Sequence, residues 1–357
     1  MTKIVEIKNL SIGYINRKNT LKLNSGLNTS LHTGELACLL GANGKGKSTL
    51  LKTLCKFIPR LDGNVFIDRE PLDAINERNM AKKVSIVLTE KIQVPNATVY
   101  ELVGYGRSPY TGFMGRLSKN DHLEVEKAIR QCGIAHKKHD SLESLSDGER
   151  QKASIAKALA QNTPVILLDE PTAFLDLPSR VEIIKLLAKL AKNSGKAVLM
   201  AIHDLDLALQ MADKLWLMDS DNFICGSPED LLYQNAFQKI FNDTGITFDN
   251  RSGIFRVEYN NTRVLRVKGH GFEYVLLRRA FAREGIDLVH SKSSVGIWMN
   301  IMKEKKNPFQ LYKDQSLLME EHSIENIVQF TLKYLKFEKK SLNESCGSSH
   351  EHYSWKN

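Results

Sequence analysis

The nine residues Gly41-Ala-Asn-Gly-Lys-Gly-Lys-Ser-Thr49 carry the clearest chemistry in the chain. They fit Gly-x-x-x-x-Gly-Lys-Ser/Thr, the spacing of a phosphate-binding loop. Gly41, Gly44 and Gly46 permit tight turns that aim backbone N–H groups inward, and a following helix start adds the positive end of its dipole. Lys47 supplies a point charge that can reach β- and γ-phosphates, and Ser48 a hydroxyl for Mg²⁺. The flanks agree. Glu35-Leu-Ala-Cys-Leu-Leu40 is the short apolar run of a buried strand, and Thr49-Leu-Leu-Lys-Thr-Leu-Cys-Lys-Phe57 has helical spacing.

A second candidate is Val165-Ile-Leu-Leu-Asp169-Glu170. An apolar strand ending in a carboxylate sets Asp169 at the carboxyl edge of a sheet, beside the phosphates, as a Mg²⁺ ligand acting through water. Glu170 points the other way and is placed to polarise an attacking water as general base. A third is Leu145-Ser146-Asp147-Gly148-Glu149-Arg150-Gln151, directly before a helical stretch at 152–160. Ser146 and Gly148 at a helix start offer a second anion-binding surface. The same Ser146-x-x-Glu149 spacing is equally a capping box that only closes the helix end. Two phosphate-binding helix starts, one of which cannot reach its own phosphate loop, suggest a ligand shared between two chains. A fourth is His203, after an apolar run at 198–202. A lone His more often has a structural role, but the carboxyl edge of an α/β sheet is where ligands lie, which favours a γ-phosphate contact.

In this order and spacing the four motifs resemble the nucleotide-binding subunit of ATP-binding-cassette (ABC) transporters, over about residues 3–244. The resemblance implies ATP and Mg²⁺ as ligands and Lys47, Glu170 and His203 as the catalytic set. It adds Asn43 and Thr49 to Gly41, Gly44, Gly46, Lys47 and Ser48 in the nucleotide cradle. It makes Tyr14, in Leu10-Ser-Ile-Gly-Tyr14, the aromatic that stacks on adenine, although a hairpin aromatic fits the same place. It assigns Asp176, in Pro171-Thr-Ala-Phe-Leu-Asp176, to a loop communicating across a dimer, and Ser146, Gly148 and Glu149 to the surface closing on the partner copy's nucleotide. Glu90, in Ile86-Val-Leu-Thr-Glu90, falls where the family usually has a Gln that touches Mg²⁺ and the permease interface. The implied metal ligands are therefore Ser48, Glu90 and Asp169.

Within the family, Gly104-Tyr-Gly-Arg107-Ser-Pro-Tyr110 and Leu117-Ser-Lys-Asn-Asp121 resemble the iron–siderophore, haem and cobalamin importer branch. The implied partners are transmembrane permease subunits, a second copy of the chain and, indirectly, a solute-binding protein, with no nucleic acid. The implied location is peripheral, on the cytoplasmic face of the cell membrane. A soluble ABC-type ATPase acting on DNA or ribosomes is the competing reading. Such proteins usually carry a long coiled-coil insertion or two cassettes, and this chain has one cassette and a modest insert. A non-catalytic ATP binder is a third reading, left open by Glu90 and Asp147, where the family commonly has Gln and Gly; Glu149, where Gln is common, is a milder departure.

The elements that must position these residues alternate. Strands are expected at 3–10, 21–31, 35–40, 63–68, 84–88, 165–168 and 197–202, and helices at 179–192 and 204–212. The stretch 98–161 breaks the alternation and reads as a helical insert. The expected fold class is α/β: a P-loop NTPase of ABC cassette type over 1–245, with a parallel-sheet core, an antiparallel β subdomain and the helical insert. A small α+β extension follows over 246–340, with a hairpin at 254–268, a helix at 272–283, strands at 286–290 and 295–301 and a long helix at 320–337. No motif marks it, and dimerisation or substrate sensing is its expected role. The tail 341–357, rich in Ser, Asn, Gly and His, reads as disordered.

Composition narrows the class further. The net charge of +9 is spread along the chain rather than blocked, as on a solvated basic surface. The five cysteines are odd in number and form no Cys-x-x-Cys pair, so a disulfide framework is not expected, and Cys38 and Cys55 read as buried thiols. Charges interrupt every apolar run near the N-terminus, unlike a signal peptide. No run of about 18 apolar residues occurs, so membrane attachment would have to come from other chains.

Overall fold

The computed structural model describes residues 2–15, 19–90, 94–112, 114–220, 222–241, 246–249, 254–257, 261–302 and 305–347. The chain divides into two compact units, Met1–Arg256 and Val257–Asn357.

The first unit opens with β1 (Lys3–Ile15), β2 (Thr20–His32) and β3 (Leu36–Leu40), then α1 (Lys47–Leu54), β4 (Asp62–Ile67) and β5 (Glu70–Pro71). Next come α2 (Glu77–Lys83), β6 (Val84–Val87), α3 (Val99–Gly104), α4 (Lys119–Gln131) and α5 (Asp147–Ala160). It continues through β7 (Val165–Asp169), α6 (Leu177–Ser194), β8 (Ala197–Ala201), α7 (Leu205–Met211), β9 (Lys214–Met218) and β10 (Phe223–Gly226). Two short helices, α8 (Pro228–Tyr233) and α9 (Ala236–Phe241), precede β11 (Ile246–Asp249) and β12 (Ile254–Val257).

Six strands form the central sheet in the order β10-β9-β3-β8-β7-β6, parallel except for the β10 edge. Its interior strands are apolar on both faces because both are covered. On β3, Leu36, Cys38 and Leu40 enter one core with α5, α6 and the helical insert. Ala37 and Leu39 enter the other core, against α1 and the antiparallel sheet β2-β1-β4-β5. The same alternation on β7 and β8 locks the register, so the carboxyl ends of β3, β7 and β8 are held at one edge. Local signals set the helices. α6 begins on an Asp176 cap, buries Ile183, Ile184, Leu187 and Leu190 at helical spacing, and stops at Gly195 with φ 62°. The insert starts α3 and α4 on capping boxes, Thr98 with Glu101 and Ser118 with Asp121.

The second unit holds β13 (Arg263–Lys268), α10 (Phe272–Arg283), β14 (Ile286–His290), β15 (Ile297–Ile301), β16 (Phe309–Lys313), β17 (Ser316–Glu321) and α11 (Ile324–Gly347). Its sheet runs β14-β13-β15-β16-β17, with β13 parallel to both neighbours and the last two pairs antiparallel. Leu265, Val267, Phe281, Met299, Leu311 and Ile327 make its core.

Three expectations for this region need correction. The stretch 254–268 is not a hairpin. β12 pairs with β11, and both edges of β13 are taken by β14 and β15. The helix expected from 320 starts at Ile324, because Glu320 and Glu321 still pair with β16. That helix runs to Gly347, past the Ser341 where disorder was expected to begin; residues 348–357, with His350 and His352, lie outside the described residues. Residue 245, where the domain boundary was expected, also lies outside them; the contacts divide the chain between Arg256 and Val257.

Candidate active site

The loop between β3 and α1 is shaped by glycine. A Cβ on Gly41 would sit 2.2 Å from the Met218 carbonyl oxygen on β9, so only glycine fits. Gly44 and Gly46 take φ 79° and 101°. Gly46 is also the cap of α1 and provides no side-chain hydrogen bond, which leaves first-turn N–H groups for an outside acceptor. Lys47 is 5% exposed and folds back into this loop, its Nζ donating to the carbonyls of Gly41 (2.8 Å) and Ala42 (3.2 Å). Burial lowers its pKa, against the raising fields of Glu170 and Asp169. Lys45 tethers the outer side of the loop to Asp219 Oδ1 (2.9 Å) and Ser220 Oγ (2.6 Å), just past β9.

Asp169 ends β7 directly beside α1. Ser48 Oγ donates to Asp169 Oδ1 at 2.9 Å, which joins two motifs 121 residues apart. The Asp169 carboxyl is buried, and burial raises its pKa; the Ser48 hydrogen bond opposes this, and the Glu170 charge adds to it. Thr89 Oγ1, just past β6, donates to the Asp169 carbonyl at 2.9 Å and fixes the strand end from the other side. Glu170 then turns sharply, at φ 51°, with its N–H donating to Ala201 O at the end of β8. A non-glycine residue in this region carries backbone strain on the order of 1–3 kcal/mol, which the paired strand ends must hold. His203, past β8, places Nε2 at 2.7 Å from Glu170 Oε1.

These residues fit a small hard cation. Asp169 is a buried carboxylate whose charge is penalised, next to the Ser48 hydroxyl. Among the described residues no three His, Cys, Asp or Glu side chains converge on one point. A cation on Ser48 and Asp169 would therefore complete its shell with phosphate oxygens and water, as Mg²⁺ does. Glu90 makes no hydrogen bond or ion pair to either residue. It is exposed and lines a cavity of about 40 Å³ with Asp147, Arg150 and Glu170.

Tyr14, near the end of β1, keeps its ring 43% exposed while its hydroxyl lies 3.0 Å from Thr49 Oγ1. The aromatic is thus anchored to the phosphate-loop helix. Asn43, within that loop, is exposed. The other helix start is closed by its own side chains. Ser146 caps α5, Glu149 Oε2 accepts from Ser146 N and Oγ at 2.9 Å each, and Ser146 Oγ accepts from Glu149 N. The Ser146 hydrogen bond lowers the Glu149 pKa. Gly148 packs near Ser179, in the first turn of α6. Asp176, whose side chain accepts from Ser179 N at 3.1 Å, caps that helix. Among the described residues no hydrogen bond joins Ser146 or Gly148 to the phosphate loop of the same chain.

Sequence reasoning missed Lys45, Thr89 and the role of Arg107. Arg107 is 4% exposed; it donates to Asp121 Oδ1 and Ala160 O, both at 2.8 Å, and lies 3.9 Å from the Tyr110 ring centre. A Cβ on Gly106 would sit 2.2 Å from Lys157 O. The Gly104–Tyr110 and Leu117–Asp121 motifs thus form one brace that fastens α4 to the end of α5. Their side-by-side glycine, Arg and Asp were visible, but their pairing was not.

The ABC transporter family profile matches residues 24–173. An uncharacterised ABC transporter ATP-binding protein of Methanocaldococcus jannaschii is 33% identical over 77% of this chain and 95% of its own length. The iron(3+)-hydroxamate import ATP-binding protein of Bacillus subtilis is 35% identical over 68% of this chain and 90% of its own. A solved metal-chelate type ABC transporter in an inward-facing conformation superposes with a TM-score of 0.59 at 26% identity, over 68% of this chain and 90% of that one.

Proposed function

This chain belongs to the ABC transporter family, as an ATP-hydrolysing cassette, and on that premise we propose that it powers import of an iron–siderophore, haem or cobalamin type of solute through a partner permease. The name of the Bacillus subtilis relative, the metal-chelate class of the structural neighbour and the Arg107 brace motif support the solute class. The observation that carries the reading is the Ser48–Asp169 hydrogen bond of 2.9 Å beside the buried Lys47, with Glu170 and His203 paired at the adjoining strand ends.

In this reading Lys47 exchanges the carbonyls of Gly41 and Ala42 for β- and γ-phosphate oxygens. The backbone from Gly41 through Thr49, with Asn43, wraps the triphosphate, and the anchored Tyr14 ring stacks on adenine. Ser48 and Asp169, with Glu90 at the rim, would hold Mg²⁺, which would offset charge on the phosphates. Glu170 orients water and takes its proton, and His203 steadies that carboxylate and reaches the γ-phosphate. Ser146, Gly148 and Glu149 close on the nucleotide of a second copy, with Asp176 beside the junction. Among the described residues no helix is long and apolar enough to cross a membrane, which agrees with a peripheral subunit held by its permease, fed in turn by a solute-binding protein.

The test is reconstitution with the permease partners in lipid vesicles. Mg²⁺-dependent phosphate release coupled to uptake of a ferric hydroxamate, haem or cobalamin is the expected result. Phosphate release with no uptake of any of the three discards the solute class, and no phosphate release discards the assigned site.

A further inference from the structure

The second unit carries a cavity of about 570 Å³ at the carboxyl ends of β13 and β14, lined by Val267, Lys268, Gly269, His270, His290, Ser291 and Lys292. Ligands of open α/β sheets lie outside the carboxyl ends of parallel strands, and this volume suits a nucleotide-sized molecule. Four of the lining side chains are basic or imidazole: Lys268, His270, His290 and Lys292. Among the described residues no carboxylate pairs with any of them, and Glu273, in the first turn of α10, joins none of them in an ion pair. The two ammoniums, Lys268 and Lys292, carry positive charge into this space without a counter-charge among the described residues, which favours an anion there.

The cavity is built rather than incidental. Lys268 Nζ donates to Ser294 Oγ and lies 4.4 Å from the Trp298 ring centre, which positions the ammonium at the strand end. The loop after β14 brings Ser291 into the lining beside Lys292, with Ser293 N donating to Ser291 Oγ. Gly269 lies so close to β15 that a Cβ would meet Ile301 O at 2.7 Å, which keeps the loop tight against the sheet. The His290 ring is packed at 4.3 Å on Tyr274 of α10. One hydroxyl, two ammoniums and two imidazoles around one concave space are a donor set for a phosphate group, since each can donate to its oxygens.

We propose that this cavity is a second ligand site, separate from the cassette, that binds a small organic molecule through a phosphate monoester. Lys268 and Lys292 supply the charge, His270 and His290 flank it, and Ser291 donates its hydroxyl. The C-terminal unit is then a sensor of a phosphorylated compound.

The experiment titrates the full chain with AMP, glycerol 3-phosphate and inorganic pyrophosphate, by calorimetry and tryptophan fluorescence, and separately with phosphatidylcholine vesicles with and without phosphatidic acid. The proteins are wild type, Lys47→Ala to disable the cassette, Lys268→Gln/Lys292→Gln, and the exposed single variant Lys292→Glu, which keeps the test valid if the double variant fails to fold. Saturable binding that survives Lys47→Ala and weakens about tenfold or more in the Lys268 and Lys292 variants is expected. Binding of the soluble compounds assigns a free metabolite, and binding only to phosphatidic acid vesicles assigns a lipid headgroup carrying the same monoester. No saturable binding in the millimolar range, binding indifferent to Lys292→Glu, or binding lost with Lys47→Ala overturns the proposal.

Discussion

His203 Nε2 sits 2.7 Å from Glu170 Oε1, between residues 33 apart in sequence and on the ends of neighbouring strands. The contact aims a carboxylate whose backbone already turns away from the strand at φ 51°. Glu170→Gln should therefore bind ATP as wild type does, lower hydrolysis about a hundredfold or more, and accumulate an ATP-bound dimer on a sizing column. Hydrolysis at the normal rate would show that the proton goes elsewhere.

His203→Ala should lower turnover by a similar factor while leaving the ATP concentration for half-binding nearly unchanged. A rise confined to that concentration, with full turnover at saturation, would reduce His203 to a binding group.

Asp169→Asn separates stability from chemistry. The wild-type carboxylate is buried and its charge is penalised, while the Asn amide keeps an oxygen for the Ser48 hydroxyl. In EDTA without nucleotide the variant should melt a few degrees higher, by about 1 kcal/mol or more of relief, and should lose Mg²⁺-dependent hydrolysis. A lower melting temperature would mean that Asp169 is ionised at no cost.

Arg107→Met should destabilise the chain by about 3–5 kcal/mol, because it strands Asp121 in the brace. Asp121 is held at about 2, chiefly by the Ser118 hydroxyl and also by Arg107. Its folded-state value is depressed, so the stability it contributes is complete above the ordinary Asp range near 4 and is lost as pH falls through that range towards 2. Acid melts followed by circular dichroism should show this loss in wild type and a shallower one in Asp121→Asn.

Tyr14→Phe keeps the ring and loses the contact with Thr49. It should change the ATP concentration for half-maximal rate less than about threefold, whereas Tyr14→Ala should raise it about tenfold. Equal effects would make the hydroxyl, not the ring, the important part.

What was legible in the sequence was contiguous. Residues 41–46 form a loop from their own backbone preferences and lead into a helix from Lys47, and Asp169 ends an apolar strand whose neighbours are equally apolar. Glycine spacing and strand burial are local signals. Pairings across long separations were not legible: Tyr14 with Thr49, Arg107 with Asp121, and Glu170 with His203. They depend on strand order, which no short window contains. The same reason undid the hairpin at 254–268. Asn260-Asn261 is a local turn signal, but β13 gains more by burying both edges against β14 and β15. The contact of Thr89 with the end of β7, one residue before Glu90, was equally out of reach of a short window.

Glu149 gives the helix start at Ser146 an anion of its own. The serine hydroxyl and its backbone N–H are already occupied within one chain. Under the function proposed above, a triphosphate carried by a second copy would have to evict that carboxylate, so pairing would exchange one negative group for another rather than fill an empty seat.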